Sequence, residues 1–385
     1  MSVKTSIKHF WINTVDTYKH KRSRYGEIEK FRDKRRVAIY SRVNLTQEQI
    51  AQIDDVYLTY YGEKIPYIWH RHFTAFSGKF DPYYFPELLY IPEFERYMNE
   101  NRDYSYAQCF EDKNILPLLA NASKIAMPHA RYSNADGFIY DEDHRQTTIK
   151  KIDSISGDFF IKPTVDSNSG RGCQIVSLNK GIDEITGSTI TEILHHKGTN
   201  WVIQDIIRCH SSIAVIYKGS VNTFRIMTYL WKGSIRHAPV ILRIGQSGSF
   251  LDNAHAGGMF IALEDDGTMH STAFTEFKDE FTEHPDTHFT FEGYKIGLLP
   301  KVIDAAVRCH SFIPQVGCIN WDFTLDESGF PLLIEANMLG GSIWLFEMAH
   351  GKGAFGELTP EILRWLHVMN RLKKTERKSI QFDYG

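Results

Sequence analysis

The pattern of apolar and polar positions changes character near residue 109. Upstream, apolar residues recur at helical spacing. Thr46-Gln47-Glu48-Gln49 can open a helix that carries Ile50, Ile53, Val56, Tyr57 and Tyr60. Residues 1–108 therefore read as a mainly helical, aromatic-rich N-terminal region. Within it, 73–92 is expected to be an irregular packed connection, because Pro82, Pro86 and Pro92 interrupt it. Downstream, short apolar or alternating runs read as strands at 159–163, 174–178, 201–207, 214–217, 223–231, 238–244 and 258–263. Helical spacing predicts helices over 189–196 and 298–312. Ile362, Leu363, Trp365, Leu366 and Met369 predict one closing helix in the C-terminal segment 356–385. This mixture is an α+β pattern.

One hairpin carries the sharpest chemical signal. Ile319 to Leu325 and Phe330 to Asn337 flank Asp326-Glu327-Ser328-Gly329, a cluster of turn formers. If Leu325 pairs with Phe330, Asp322 lies opposite Leu333, and Glu335 and Asn337 follow on the same face, since side chains repeat every second residue. Two carboxylates that close repel one another unless a cation neutralises them. An all-oxygen set of this kind suits Mg²⁺ (or Mn²⁺), completed by phosphate oxygens. The alternative is a solvent-facing strand edge with unrelated acids.

Composition narrows the class. The chain of 385 residues has 42% hydrophobic and 24% charged residues, ordinary for a folded soluble protein. No run of eighteen apolar residues is present, so no membrane span is expected. The polar and basic start, Met1 to Ser6, does not resemble a secretory signal. Five scattered cysteines without Cys-x-x-Cys spacing argue against a zinc site or disulfide framework and fit a cytoplasmic protein. A net charge of −3 argues against a general nucleic-acid binder. The basic cluster from Lys19 to Arg36 interleaves with Glu27, Glu29 and Asp33, as on a solvated helix with internal ion pairs. Attachment to acidic lipid or a polyanion is the alternative.

Several further residues suit an anionic ligand. Lys162 ends an apolar strand before Pro163 and needs an anionic partner there. The following loop, Asp166 to Cys173, offers Ser167, Ser169, Gly170 and Gly172, whose backbone can fold over phosphate oxygens. It lacks the Walker pattern, and a plain surface hairpin explains it equally well. Lys113, at a helix start, can reach the same ligand. Arg225 falls mid-strand on the polar face and can clamp a phosphoryl or carboxylate group; an Arg paired with a sheet-face acid is the alternative. The turn from Asp252 to Gly258 contains His255, a candidate proton carrier or an ordinary loop histidine.

Lys113, Ile161-Lys162-Pro163, the Ser/Gly loop, Val202-Ile203-Gln204-Asp205 and the Asp322…Glu335-x-Asn337 hairpin occur in one order that resembles the ATP-grasp superfamily. The hairpin spacing is similar to that of D-alanine–D-alanine ligases. Ser220-Val221-Asn222-Thr223-Phe224-Arg225 and the Asp-Asn…Gly-Gly stretch at 252–258 resemble its sugar-transfer-associated branch. The resemblance implies an ATP-grasp domain over 109–355, with halves at about 109–207 and 208–355 clasping ATP. It implies phosphate contacts from Lys113 and Lys162, and closure of 167–172 over them. Gln204, Asp205 and Ile207 would lie along the adenine, and His210 near the ribose. Mg²⁺ would sit on Asp322, Glu335 and Asn337, while Arg225 and Lys162 would act in catalysis. Gln204 stands where the commoner pattern has glutamate, and His210-Ser211 where it has a ribose-binding glutamate; an amide still accepts from the adenine amine. Acceptor-side contacts are expected from Asn222, Arg243, Asn253, His255, Gly257, Gly340, Gly341 and Ser342. The activity implied is carboxylate–amine ligation through an acyl phosphate, with a sugar or glycan precursor as one partner. A small-molecule or sugar kinase with the same nucleotide site, or a non-catalytic nucleotide-binding regulator, is the alternative.

Overall fold

The computed structural model describes residues 3–99, 104–165 and 170–377. Two antiparallel sheets carry the fold. The first contains β1 (Ala130–Ala135), β2 (Phe138–Asp141), β3 (Gln146–Thr147), β4 (Gly157–Pro163), β5 (Gln174–Asn179), β6 (Ile182–Asp183) and β7 (Trp201–Asp205). Their order is β3-β2-β1-β7-β4-β5-β6. Alternation decides its two faces. Phe159 and Ile161 of β4, Val176 and Leu178 of β5, and Trp201 and Ile203 of β7 form one core with Ile190, Ile193 and Leu194 of the helix Ile190–Lys197. The intervening Phe160, Lys162, Ile175 and Gln204 point the other way, into a cleft.

The second sheet comprises β8 (Thr223–Trp231), β9 (Ser234–His237), β10 (Val240–Ile244), β11 (Met259–Leu263), β12 (Met269–Thr275), β13 (Glu280–Phe281), β14 (Cys318–Leu325) and β15 (Pro331–Asn337). The order is β13-β12-β11-β10-β8-β14-β15, with β9 paired to β8. One face packs Phe224, Ile226, Leu242, Ile261 and Trp321 against Leu299, Val302 and Ala306 of the helix Leu299–Ser311. The other face gives Met227, Tyr229, Ile241 and Phe260 to a core shared with both ends of the chain.

That shared core ties the N-terminal helices to the C-terminal one. Phe31 stacks on Trp344 with ring centroids 5.1 Å apart. Leu88, Phe94, Ile362 and Leu366 lie in the same cluster. Polar ties reinforce it: Tyr61 Oη and Asn370 Nδ2 both donate to the buried Glu93, at 2.8 Å and 2.9 Å. Arg377 donates to Asp16 at 2.5 Å. In the basic stretch, Lys30 pairs with Glu27 at 2.6 Å and Arg32 with Glu29 at 2.8 Å, the internal pairs expected of a helix surface. Arg36 instead reaches Glu276 at 2.9 Å and lies over the Trp344 ring, so part of the basic cluster is structural.

Local chemistry explains most element ends. Capping boxes from Thr46 and Gln49, and from Thr189 and Glu192, open the helices Gln47–Val56 and Ile190–Lys197. The stretch 73–92 is less irregular than expected, because the helix Ile68–Ser77 runs into it. The strand expected at 214–217 is absent. The short helix Ser211–Ala214 and a turn replace it, because His210 Nδ1 accepts from Ser212 N and Asn222 Nδ2 donates to the carbonyls of Ile213 and Tyr217. The hairpin register also differs from expectation. Leu325 pairs with Pro331, and a bulge lets Phe323 face Leu333 while Asp322 faces Glu335 directly. Ile334 is the extra residue.

Candidate active site

A cleft of about 250 Å³ lies between the two sheets. Its floor on the second sheet is a set of neighbouring strands. Asp322 on β14 sits between Arg225 on β8 and Glu335 on β15 in the register. Arg243 on β10 is two residues from Ile241, which pairs with Arg225. On the first sheet, Lys162 and Gln204 face this floor.

These charges form one network. Arg225 grips Asp322 through two bonds, Nε to Oδ1 at 2.5 Å and Nη2 to Oδ2 at 3.0 Å. Arg243 Nη2 approaches the same Oδ2 at 3.3 Å, and its Nε lies 3.6 Å from Asp252. Thr223 Oγ1 accepts from Arg243 at 2.8 Å and donates to Asp252. Burial alone would raise the Asp322 carboxyl, but the two guanidiniums outweigh it and hold the group below the usual range. Lys113 Nζ pairs with Glu335 at 2.9 Å. Lys162 is only 7% exposed. Burial, aided by the neighbouring Lys113 charge, pushes its ammonium down from 10.5 to about 8. Lining side chains include five cations (Lys113, Lys162, Lys218, Arg225 and Arg243) against three carboxylates (Asp252, Asp322 and Glu335). The cleft is therefore positive and suits a polyanion.

A model of the sugar-transfer associated ATP-grasp family matches residues 93–361. The chain belongs to that family. Among solved structures, this ATP-grasp protein is similar to the VanG D-Ala:D-Ser ligase of Enterococcus faecalis, at 14% identity and a TM-score of 0.40, over 68% of this chain and 63% of that one. It is also similar to an L-amino acid ligase from Bacillus licheniformis, at 15% identity and 0.39, over 71% and 51%. A third is a D-alanine–D-alanine ligase from Bacillus anthracis complexed with ATP, at 13% and 0.37, over 72% and 69%. The match spans less than two thirds of the length of the first two. No curated protein matches the chain. No helix among the described residues is long and apolar enough to cross a membrane.

Within the ATP-grasp protein, the residues singled out from sequence divide into two groups. Lys113, Lys162, Gly170, Gln204, Ile207, Arg225, Arg243, Asn253, Asp322, Glu335 and Asn337 surround the one cleft. Gly170 has φ +74°, and a Cβ there would meet Leu251 at 2.6 Å, so glycine is what lets the backbone come this close to the Leu251 side chain. Gly172 packs on Pro163 at the strand end. Ser167 and Ser169 lie outside the described residues. Other positions serve the scaffold. Asp205 is held by Arg131 at 2.8 Å and by His129. His210 caps a helix, and the Asn222 amide fixes a turn. His255 is 65% exposed and pairs with Glu276, while Gly257 ends its turn at φ +91°. Gly340 N donates to Glu95 at 2.9 Å, Gly341 abuts Asn320, and Ser342 Oγ accepts from Trp344 N. Those last three do not line the cleft.

Lys218 and Phe250 line the cleft with no signal in the sequence, whereas Thr223 and Asp252 lie in stretches singled out from sequence without a role for either. Asp252 neighbours Asn253 in a flagged turn, but its coupling to Arg243 comes from strand neighbours far apart in sequence.

The hairpin donors fit a hard divalent cation. Glu335 keeps 31% of its side chain exposed toward the cleft. Asn337 Nδ2 makes only long contacts, 3.4 Å to Asp322 Oδ2 and 3.4 Å to Asn320 O. Asp322 is the most committed of the three, yet a carboxylate offers about four acceptor sites. Oxygen donors of this kind, with phosphate oxygens, complete a Mg²⁺ octahedron.

Proposed function

We propose that this protein is an ATP-dependent carboxylate–amine ligase that uses Mg²⁺ or Mn²⁺. The observation that carries the reading is the convergence of Lys113, Lys162, Arg225 and Arg243 on the Asp322–Glu335–Asn337 hairpin, inside one cleft between two sheets.

In this reading ATP lies with its phosphates among the lysines and its adenine near Gln204 and Ile207. Lys162 binds the phosphates from the first sheet and Lys113 from the turn before the helix Leu116–Ala122, while Gly170 lets the backbone come close to them. The metal, held by Glu335 and Asn337 with Asp322, would screen phosphate charge and keep the γ-phosphoryl group in line. A substrate carboxylate oxygen attacks that phosphorus, and the bond to the ADP oxygen breaks. Arg225, fixed by its two bonds to Asp322, needs no reorganisation to face the developing charge. An amine then attacks the acyl carbon, loses a proton, and expels phosphate as the amide forms. Burial raises the thiol of Cys173, the cysteine of the cleft, so it stays protonated and is a poor nucleophile. That suits chemistry by positioning and electrostatics rather than an enzyme-bound acyl group. The family description further favours a sugar or glycan precursor as the carboxylate or the amine.

Phosphorus NMR with ATP, Mg²⁺, pooled sugar acids and amino acids, and hydroxylamine as a trap tests this. ADP and phosphate that appear only with a carboxylate, together with a hydroxamate, are the expected result. A stable phosphoester would replace the ligase reading with a kinase. No turnover despite ATP binding would remove the catalytic reading.

A further inference from the structure

A second group of ligating side chains lies outside the cleft lining. Glu264 follows β11, His270 lies on β12, and His350 ends the helix Trp344–His350. One ligand atom from each lies within 4.8 Å of the other two. We propose that these three residues bind a divalent transition-metal ion, with zinc the best match to two imidazoles and one carboxylate.

The strongest support comes from His350. Its Nε2 donates to the Val240 carbonyl at 2.8 Å, which fixes the ring with its proton on that nitrogen. Nδ1 is then a bare lone pair, buried and without a hydrogen-bond partner. Backbone support on one imidazole nitrogen with the other free is the usual state of a metal ligand. A buried acceptor left unpaired is otherwise costly, by about 1–3 kcal/mol. His270 brings a second imidazole edge-on, with ring centroids 5.2 Å apart, and its Nε2 lies 2.7 Å from Glu264 Oε1. Binding would exchange that contact for two bonds to the ion, with the imidazole N–H carried on Nδ1 instead.

Donor type sets the two sites apart. Two nitrogens and one carboxylate suit zinc, whereas the all-oxygen hairpin suits magnesium. Tetrahedral ligands at zinc bond lengths stand about 3.4 Å apart, so the group must draw in modestly. Glu264 is exposed and His270 partly so, which leaves both free to move. Lys352 opposes a bound cation. Its ammonium lies 3.5 Å from Glu264 Oε2 but is 47% exposed, so it can swing aside. A bound ion would clamp the β11–β12 hairpin to the helix that follows the metal hairpin of the cleft.

The test uses the full chain stripped with a chelator, then loaded with zinc and gel-filtered. Elemental analysis of the Glu335→Gln background, which weakens the cleft site, should still show one zinc per chain. His270→Ala and Glu264→Gln should each raise the zinc Kd more than about tenfold. Lys352→Ala should lower it. Cobalt(II) in place of zinc should give tetrahedral visible absorption that His270→Ala removes. Equal zinc retention by wild type and both ligand variants, or none by the wild type, would overturn the site.

Discussion

Lys162 offers a direct conflict between folding and function that can be measured. Its ammonium is buried, and its pKa falls from 10.5 to about 8. Each tenfold change in proton affinity is worth about 1.4 kcal/mol, so the depression costs the folded protein about 3 kcal/mol. The sign follows from which state holds the proton. The unfolded chain binds it more tightly, so the cost is fully present below about pH 8, shrinks as pH rises, and is gone above 10.5. Lys162→Met keeps the volume and removes the charge. It should therefore stabilise the ligand-free protein by up to about 3 kcal/mol at pH 7, with the gain fading by pH 10.5. ATP affinity should fall sharply in the same variant, since the phosphates lose a cation. Urea midpoints at the two pH values, beside calorimetric ATP titration, would read both effects. A destabilised variant at neutral pH, or one with unchanged ATP affinity, would refute the reasoning.

Three further predictions rest on the same network and on the N-terminal core. Glu335→Gln should abolish turnover while the fold persists, because Glu335 is part-exposed and a glutamine oxygen there can still accept from Lys113; near-wild-type turnover would remove Glu335 from the metal set. Asp322→Asn should instead cost about 3–5 kcal/mol of stability as well as turnover, since it removes the carboxylate that the part-buried Arg225 grips and leaves the buried Arg243 with Asp252 alone; matching denaturation curves for the two variants would contradict this difference. Burial holds His70 down to about 4 and His72 to about 3, so both are neutral when folded. The unfolded chain takes up these protons first, so stability should fall as pH drops below 6.5. His72→Leu should blunt that fall in an acid-unfolding titration, and an unchanged profile would refute it.

Much of the scaffold was legible because its signals are local. The Thr46 and Thr189 caps mark helix starts through side chain–backbone bonds three residues apart. The Thr223–Trp231 strand is long and apolar enough to read unaided. Non-local features were harder. Ile334 sits in an apolar run, so nothing in the sequence marks it as the bulge that brings Glu335 opposite Asp322. The β1–β2 hairpin was missed although Asp136 and Gly137 have the positive φ of a tight turn, because β1 is largely polar and β2 is only four residues long, with no apolar side chain of either fully buried. Asn222 and His255 looked like ligand contacts by residue type, yet burial and pairing give one to a turn and the other to the surface. Side-chain chemistry alone could not separate those uses.

The core shared by the two ends of the chain has a consequence for synthesis. The ribosome releases residues 3–99 well before 344–366; Phe31 and Phe94 already have ring partners in Trp69 and Tyr90, but the core they share is complete only when Trp344, Ile362 and Leu366 emerge. Glu93 and Asp16, already met by Arg24 and Arg96, likewise gain Asn370 and Arg377 only then. The N-terminal helices therefore cannot complete their packing as a nascent unit, unlike domains that fold in order of appearance. Until the last turns of the closing helix arrive, a large aromatic surface stays open to chaperones. A chain cut short near residue 340 would carry the whole cleft and still expose that surface.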